Sequence, residues 1–150
     1  MRQHIVPLLI VELEDRNYHL LAACRFENGA EGFWVIDTGA SKTVFDKNLA
    51  EHYDLLEDDA DTEIRSAGIG ESILETSLGR LHPFSLNGLT VEQMKVALLD
   101  LAHINRLYYE AADRHICGLI GSDFLLHYRA VIDYGTQEMA LDAVPTLPFD

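Results

Sequence analysis

Positive charge is scarce in this chain. Lys and Arg number 11 against 25 Asp and Glu, a net charge of -14 at neutral pH over 150 residues. A phosphate backbone or an anionic membrane would be repelled, so neither nucleic acid nor membrane is an expected partner. Cysteine is scarcer still. Cys24 and Cys117 are too few for a disulfide framework and read as reduced core thiols. Long apolar runs are missing too. Ile5 to Val11 is interrupted by Pro7 and followed by Glu12, Glu14 and Asp15, with no small-residue cleavage site, so it predicts neither a secretory leader nor a bilayer span. A cytoplasmic location is the resulting expectation. The seven histidines never fall at i, i+4 on a predicted helix and no paired cysteines accompany them, so no metal and no cofactor is expected. A Gly-x-Ser-x-Gly elbow is absent. Gly68-Ile69-Gly70 lacks the third glycine and the following helix of a dinucleotide loop. Without repeats, linkers or low-complexity segments, residues 1–150 read as one domain.

Hydrophobic residues make up 48% of the chain, enough to build a core. Residues 4–13 alternate as a strand, with Leu9, Val11 and Leu13 on one face. Tyr18 to Phe26 and Gly32 to Ile36 read as two strands joined at Asn28-Gly29, a strong hairpin signal. Asp46 is placed to cap a short helix through Tyr53, and the charge run Glu57-Asp58-Asp59-Ala60-Asp61 reads as a solvated loop. Thr62 to Ser66 and Ser72 to Leu78 are predicted strand arms around a glycine-rich tip. Leu81 to Leu86 and Leu89 to Leu99 pair across Asn87-Gly88, with Pro83 marking an edge or bulge. Leu101, Ile104, Leu107 and Tyr108 recur at helical spacing within residues 101–114. A buried strand from Cys117 follows, then a helix capped by Ser122. Ala130 to Asp133 and Gln137 to Leu141 form the last strands, across a Tyr134-Gly135-Thr136 turn, and Pro145 and Pro148 mark a loose tail. Many short strands and few helices predict an all-β barrel or sandwich.

The stretch that carries chemistry is Phe33 to Phe45. Four bulky apolar residues, Phe33 to Ile36, run into Asp37-Thr38-Gly39-Ala40-Ser41. A carboxylate at the end of a buried strand is costly unless its desolvation is offset. Gly39 permits a tight turn and the approach of another chain, while Thr38 and Ser41 offer hydroxyls that can hold the acid. Such a loop presents one reactive carboxylate on a rigid support. Two rival centres are weaker. Cys117 and His115 lie two positions apart on a strand, roughly 7 Å along it, beyond direct hydrogen bonding. Asp133-Tyr134-Gly135-Thr136 carries a bulky Tyr where a small hydroxyl residue would be needed, and reads as a β-turn.

Three segments resemble, in order, the retroviral-type (retropepsin-like) aspartic proteases, including bacterial and retrotransposon members. They are Asp37-Thr38-Gly39-Ala40-Ser41 (the acid loop), Ala67-Gly68-Ile69-Gly70 (the glycine-rich flap) and Leu119-Ile120-Gly121-Ser122-Asp123-Phe124-Leu125 (an apolar pair and Gly leading into a short helix). The run Ala130-Val131-Ile132-Asp133-Tyr134 is similar to the continuation in bacterial and retrotransposon members. The resemblance implies an all-β, closed retropepsin-like barrel with a flap hairpin and one or two short helices. It also implies a homodimeric aspartic endopeptidase acting on a peptide or protein substrate. Asp37 would be the catalytic acid/base, with Thr38 and Gly39 completing the catalytic loop and Thr38 bracing it across the two-fold axis. Ala40, Ser41, Ala67, Gly68, Ile69 and Gly70 would contact the substrate. The chain exceeds viral members mainly through residues 100–116, and its C-terminal strand also differs from theirs. Two alternatives from the same fold are a catalytically silent peptide-binding or dimerisation module and a processing enzyme that cuts a single partner.

Overall fold

The computed structural model describes residues 3–56 and 77–145. The acidic run 57–61, the glycine-rich tip at Ala67-Gly68-Ile69-Gly70, its strand arms up to residue 76, and Pro148 lie outside the described residues.

Thirteen strands and two α-helices are found among the described residues. In chain order the first strands are β1 (Gln3–Pro7), β2 (Leu9–Glu14), β3 (Asn17–Phe26), β4 (Glu31–Ile36), β5 (Val44–Asp46) and β6 (Tyr53–Leu56). After them come β7 (Ser77–Leu81), β8 (Phe84–Leu86), β9 (Leu89–Val91) and β10 (Lys95–Leu99). Helix α1 (Ala102–Ala112), β11 (Ile116–Ile120), α2 (Ser122–His127), β12 (Val131–Asp133) and β13 (Glu138–Asp142) complete the order. Ten strands form one sheet, in the order β6-β7-β10-β5-β11-β4-β3-β8-β9 with β2 also paired to β3. This sheet curls into a half-barrel, and the fold is mostly β, as expected. A second sheet has the order β1-β13-β12.

The predicted hairpins form for the expected reason. Gly29 adopts φ +90°, the Phe26 N–H bonds the Ala30 carbonyl at 2.8 Å, and the Asn28 side chain accepts from the Ala30 N–H at 2.9 Å. Asn87 and Gly88 both take positive φ (47° and 92°), which matches the strand twist on either side. Asp133 Oδ1 accepts from the N–H groups of Gly135 and Thr136, so that segment is the turn its sequence predicts.

Four local expectations are corrected. The strand expected over 4–13 breaks at Leu8. Its N–H bonds the Gln137 carbonyl, and β1 and β2 enter different sheets. The stretch Leu89 to Leu99 also breaks, because Gln93 turns at φ 60° and Met94 is buried between β9 and β10. Asp46 caps no helix. It ends β5, 3% exposed, and its Oδ1 accepts from the Asn48 amides and from the Leu101 N–H. Only a 3-10 turn, Ala50–His52, follows. Ser122 is the first residue of α2 and not its cap; Gly121 holds that position and no side chain caps it.

Two cores lie on opposite faces of the main sheet. Trp34 and Ile36 of β4 point into the larger, with Phe45, Phe84, Ile120, Phe124, Met139 and Leu141. Val35 points the other way, into a smaller core of Val11, Leu21, Ile116 and Tyr108 flanked by Leu9, Leu13 and Ile104. Leu9, Val11 and Leu13 share one face, as predicted; Val11 is buried there, Leu9 and Leu13 partly so, and α1 packs against β2. Among the described residues no helix is long and apolar enough to cross a membrane.

Candidate functional site

The two strands flanking the acid loop, β4 and β5, do not pair with each other. Strand β11 lies between them, parallel to β4 (Leu119 opposite Val35, Ile120 opposite Ile36) and antiparallel to β5 (Gly118 opposite Phe45). Residues 37–43 must therefore pass over the end of β11. The Asp37 N–H bonds the Ile120 carbonyl at 2.9 Å, and the Ala40 carbonyl accepts from the Ser122 N–H at 2.7 Å. These two bonds lock the loop to the apolar-Gly segment and the start of α2. The first and third of the sequence segments singled out above thus meet in space; the second lies outside the described residues.

This crossing requires glycine beneath the loop. A Cβ at Gly118 would sit 2.3 Å from the Val44 carbonyl oxygen and 2.6 Å from the Trp34 ring. At Gly121 it would lie 2.8 Å from the Ala40 carbonyl oxygen. Gly39 differs: a Cβ there meets only Asp37 Oδ1, at 3.4 Å. Its side towards solvent is open.

The Asp37 side chain is half-buried, and Thr38, Gly39 and Ser41 are exposed. Its Oδ1 accepts from the Gly39 N–H at 3.1 Å, and its carbonyl accepts from the Ala40 N–H at 3.1 Å. The backbone amide, rather than either of the hydroxyls expected to hold the acid, bonds the carboxylate within the chain.

Support comes from two residues that sequence reading passed over. Thr43, fully buried, accepts the Gly121 N–H on Oγ1 at 3.0 Å and donates the same hydroxyl to Asp123 Oδ1 at 2.7 Å. Asp123 Oδ1 also accepts from the N–H groups of Thr43 (3.0 Å) and Phe124 (2.9 Å). A half-buried carboxylate oxygen with three donors is well compensated. The signal in sequence was slight: Thr43 stands at the end of the polar loop, immediately before Val44 and Phe45 of β5.

A third missed residue is Tyr108 of α1, 4% exposed, whose hydroxyl lies 3.1 Å from His19 Nδ1, with the two rings edge to face. Burial raises the Tyr108 pKa, and the charge of Asp37 raises it further. Nothing local could reveal this contact, because it depends on α1 folding back across β2. Among the described residues no three His, Cys, Asp or Glu side chains cluster to hold a metal ion. Cys117 is buried, its thiol donates to the Phe33 carbonyl, and burial pushes its pKa well up, with Cys24 beside it. Cys117 is thus a core residue.

The profile of one family, described as aspartyl protease, matches residues 22–124, a span that holds both the acid loop and the Gly121 segment locked to it. The chain belongs to the aspartyl protease family. Two solved structures resemble this chain over most of its length. One is a retropepsin-like aspartic protease from Rickettsia conorii, with 18% identity over 93% of this chain and 90% of the other, at a TM-score of 0.52. Another is the retroviral protease-like domain of Ddi1 from Leishmania major, with 20% identity over 88% of this chain and 96% of the other, also at 0.52. At that identity the likeness carries the fold, which is retropepsin-like. No curated protein matches the sequence.

Proposed function

We propose that this chain is a single-domain aspartic endopeptidase that works as a homodimer. The observation that carries this reading is the fixed, half-buried Asp37 on a loop braced from below by β11 and α2 and open to solvent above. Hydrolysis of a peptide bond by carboxylates alone needs two of them. One takes a proton from the attacking water as the water oxygen bonds to the carbonyl carbon. The other gives its proton to the carbonyl oxygen, and collapse of the tetrahedral species returns a proton to the leaving nitrogen. Two carboxylates held this close share one proton and titrate as a pair.

The chain supplies one such acid, so a two-fold axis beside the loop supplies the second from another copy. The open side of Gly39 and the exposure of Thr38 support this reading: that copy would enter beside Gly39, and Thr38 would brace the two loops across the axis. Ala40 and Ser41 line the path of an extended substrate, and Ala67, Gly68, Ile69 and Gly70, which lie outside the described residues, are its further contacts. The two buried free thiols suit a reducing compartment, so we place the enzyme in the cytoplasm.

The test is cleavage of a diverse peptide pool at several pH values by wild type and Asp37→Asn, with the oligomeric state of each measured by sedimentation. The expected result is cleavage with an optimum on the acid side of neutrality, lost in Asp37→Asn while the dimer persists. A stable monomer, or cleavage that survives the substitution, would refute the dyad. A dimer that binds peptides and cleaves none would point to the silent module.

A further inference from the structure

Helix α1 does more than close a core. Strands β3 and β4 are antiparallel, with Leu21 opposite Val35, and β2 and β3 are antiparallel, with Glu14 opposite Asn17. The end of β4 that carries Asp37 and the β2–β3 hairpin tip therefore occupy the same edge of the sheet. Carrying the β3–β4 register two residues on sets Asp37 opposite His19, on the face that α1 covers. From His19 an open groove of about 970 Å³ runs outward between the hairpin and α1. Leu13 and Leu107 give it apolar sides. Glu14 and Glu110 place two carboxylates along it against the single guanidinium of Arg16.

We infer that this groove is an extension of the substrate cleft and receives a basic side chain of the extended peptide. The inference rests on the reading of Asp37 as the catalytic acid. A Lys or Arg stem lies along Leu13 and Leu107 while its head reaches the carboxylates, the packing such side chains favour. The distance sets the position. From β4 to β2 is two strand spacings, about 10 Å, and an extended peptide advances about 3.3 Å per residue. The basic residue therefore lies about three positions from the cleaved bond.

The test uses synthetic peptides from the cleaved set, matched except for Lys or Glu at that position, and the charge-reversal variant Glu14→Lys/Glu110→Lys. Wild type is expected to favour the Lys peptide about three- to fivefold in kcat/KM, through KM, as exposed charge pairs allow. The variant is expected to invert the preference, while a peptide that ends short of the groove shows no such change. The same peptides, fluorescently labelled, are titrated into Asp37→Asn protein with and without the charge reversal. Binding needs no catalysis, so this arm answers even if wild type cleaves nothing; there, random peptide pools fixed for Lys or Glu replace the matched pair. Equal affinity for both charges, or a preference unmoved by the charge reversal, would overturn the inference.

Discussion

Replacing Thr43 by Val separates polar bracing from hydrophobic packing at the acid loop. Thr43 is fully buried, so shape is nearly conserved and the hydroxyl is what goes. The Gly121 N–H then loses its acceptor in a site closed to water, a cost of about 1–3 kcal/mol. Asp123 Oδ1 loses its shortest donor, a charge-assisted bond worth about 1.5–3 kcal/mol. The two losses share one hydroxyl and do not add fully, and the extra methyl returns about 0.8 kcal/mol. The net expectation is a destabilisation of about 2–4 kcal/mol. Thr43→Ser keeps both bonds and loses only a methyl, at about 1 kcal/mol. In urea, with a slope of about 2 kcal/mol per molar, Val lowers the midpoint by about 1–2 M and Ser by about 0.5 M. The curves are compared at one protein concentration, since the proposed dimerisation would shift the midpoint. At temperatures where the Val variant stays folded, kcat should fall more than KM rises, because the loop carrying Asp37 loses an anchor at residue 43. Burial alone predicts the opposite order, with Val more stable than Ser. That order would refute the claim that the Thr43 hydroxyl holds the loop to α2.

Other consequences follow from the same structure. Gly118→Ala drives a methyl into the Val44 carbonyl and the Trp34 ring and should cost about 3 kcal/mol or more; Gly29→Ala, in open space at positive φ, should cost about 1 kcal/mol, and equal midpoints for the two would deny the close crossing. His52 stacks on Phe26 with ring centroids 3.9 Å apart, and burial lowers its pKa below 6.5, Glu51 opposing and His82 adding to the shift. The unfolded chain thus holds that proton more tightly than the folded one, so His52 favours folding above pH 6.5 and loses that contribution as pH falls. His52→Phe should flatten the decline in stability from pH 7.5 to 5, and parallel curves for variant and wild type would reject the assignment. Cys24 and Cys117 should both resist a thiol reagent at pH 8 until the protein is denatured; prompt modification of either in the native state would contradict their burial.

The elements set by short-range rules were legible in the chain. Asn28-Gly29 and Asn87-Gly88 turn where their backbone preferences dictate, and the helical spacing from Leu101 becomes α1. The acid loop and the Gly121 segment were legible as pieces, and the structure supplies how they lock together. Misreadings arose where one residue type serves several partners. Asp46 and Ser122 have the chemistry of helix caps, but Asp46 is claimed by Asn48 and the distant Leu101 N–H, and α2 begins without a side-chain cap. Pro7 was visible as an interruption, yet the partition of its two sides between sheets depends on Gln137 and β13. The Tyr108–His19 contact, between residues 89 positions apart, has no local signature at all.

The insertion of β11 between β4 and β5 also dictates when the protein can become competent. Asp37 and its loop are made early in synthesis, yet Thr43 waits for a partner 80 residues further along the chain. Such non-local closure is slow and comes late in folding. A nascent or prematurely ended chain that stops short of β11 would carry the signature Asp-Thr-Gly and have nothing to hold it in place. The order of translation therefore leaves the Asp37 loop without its support until β11 and α2 have both been made.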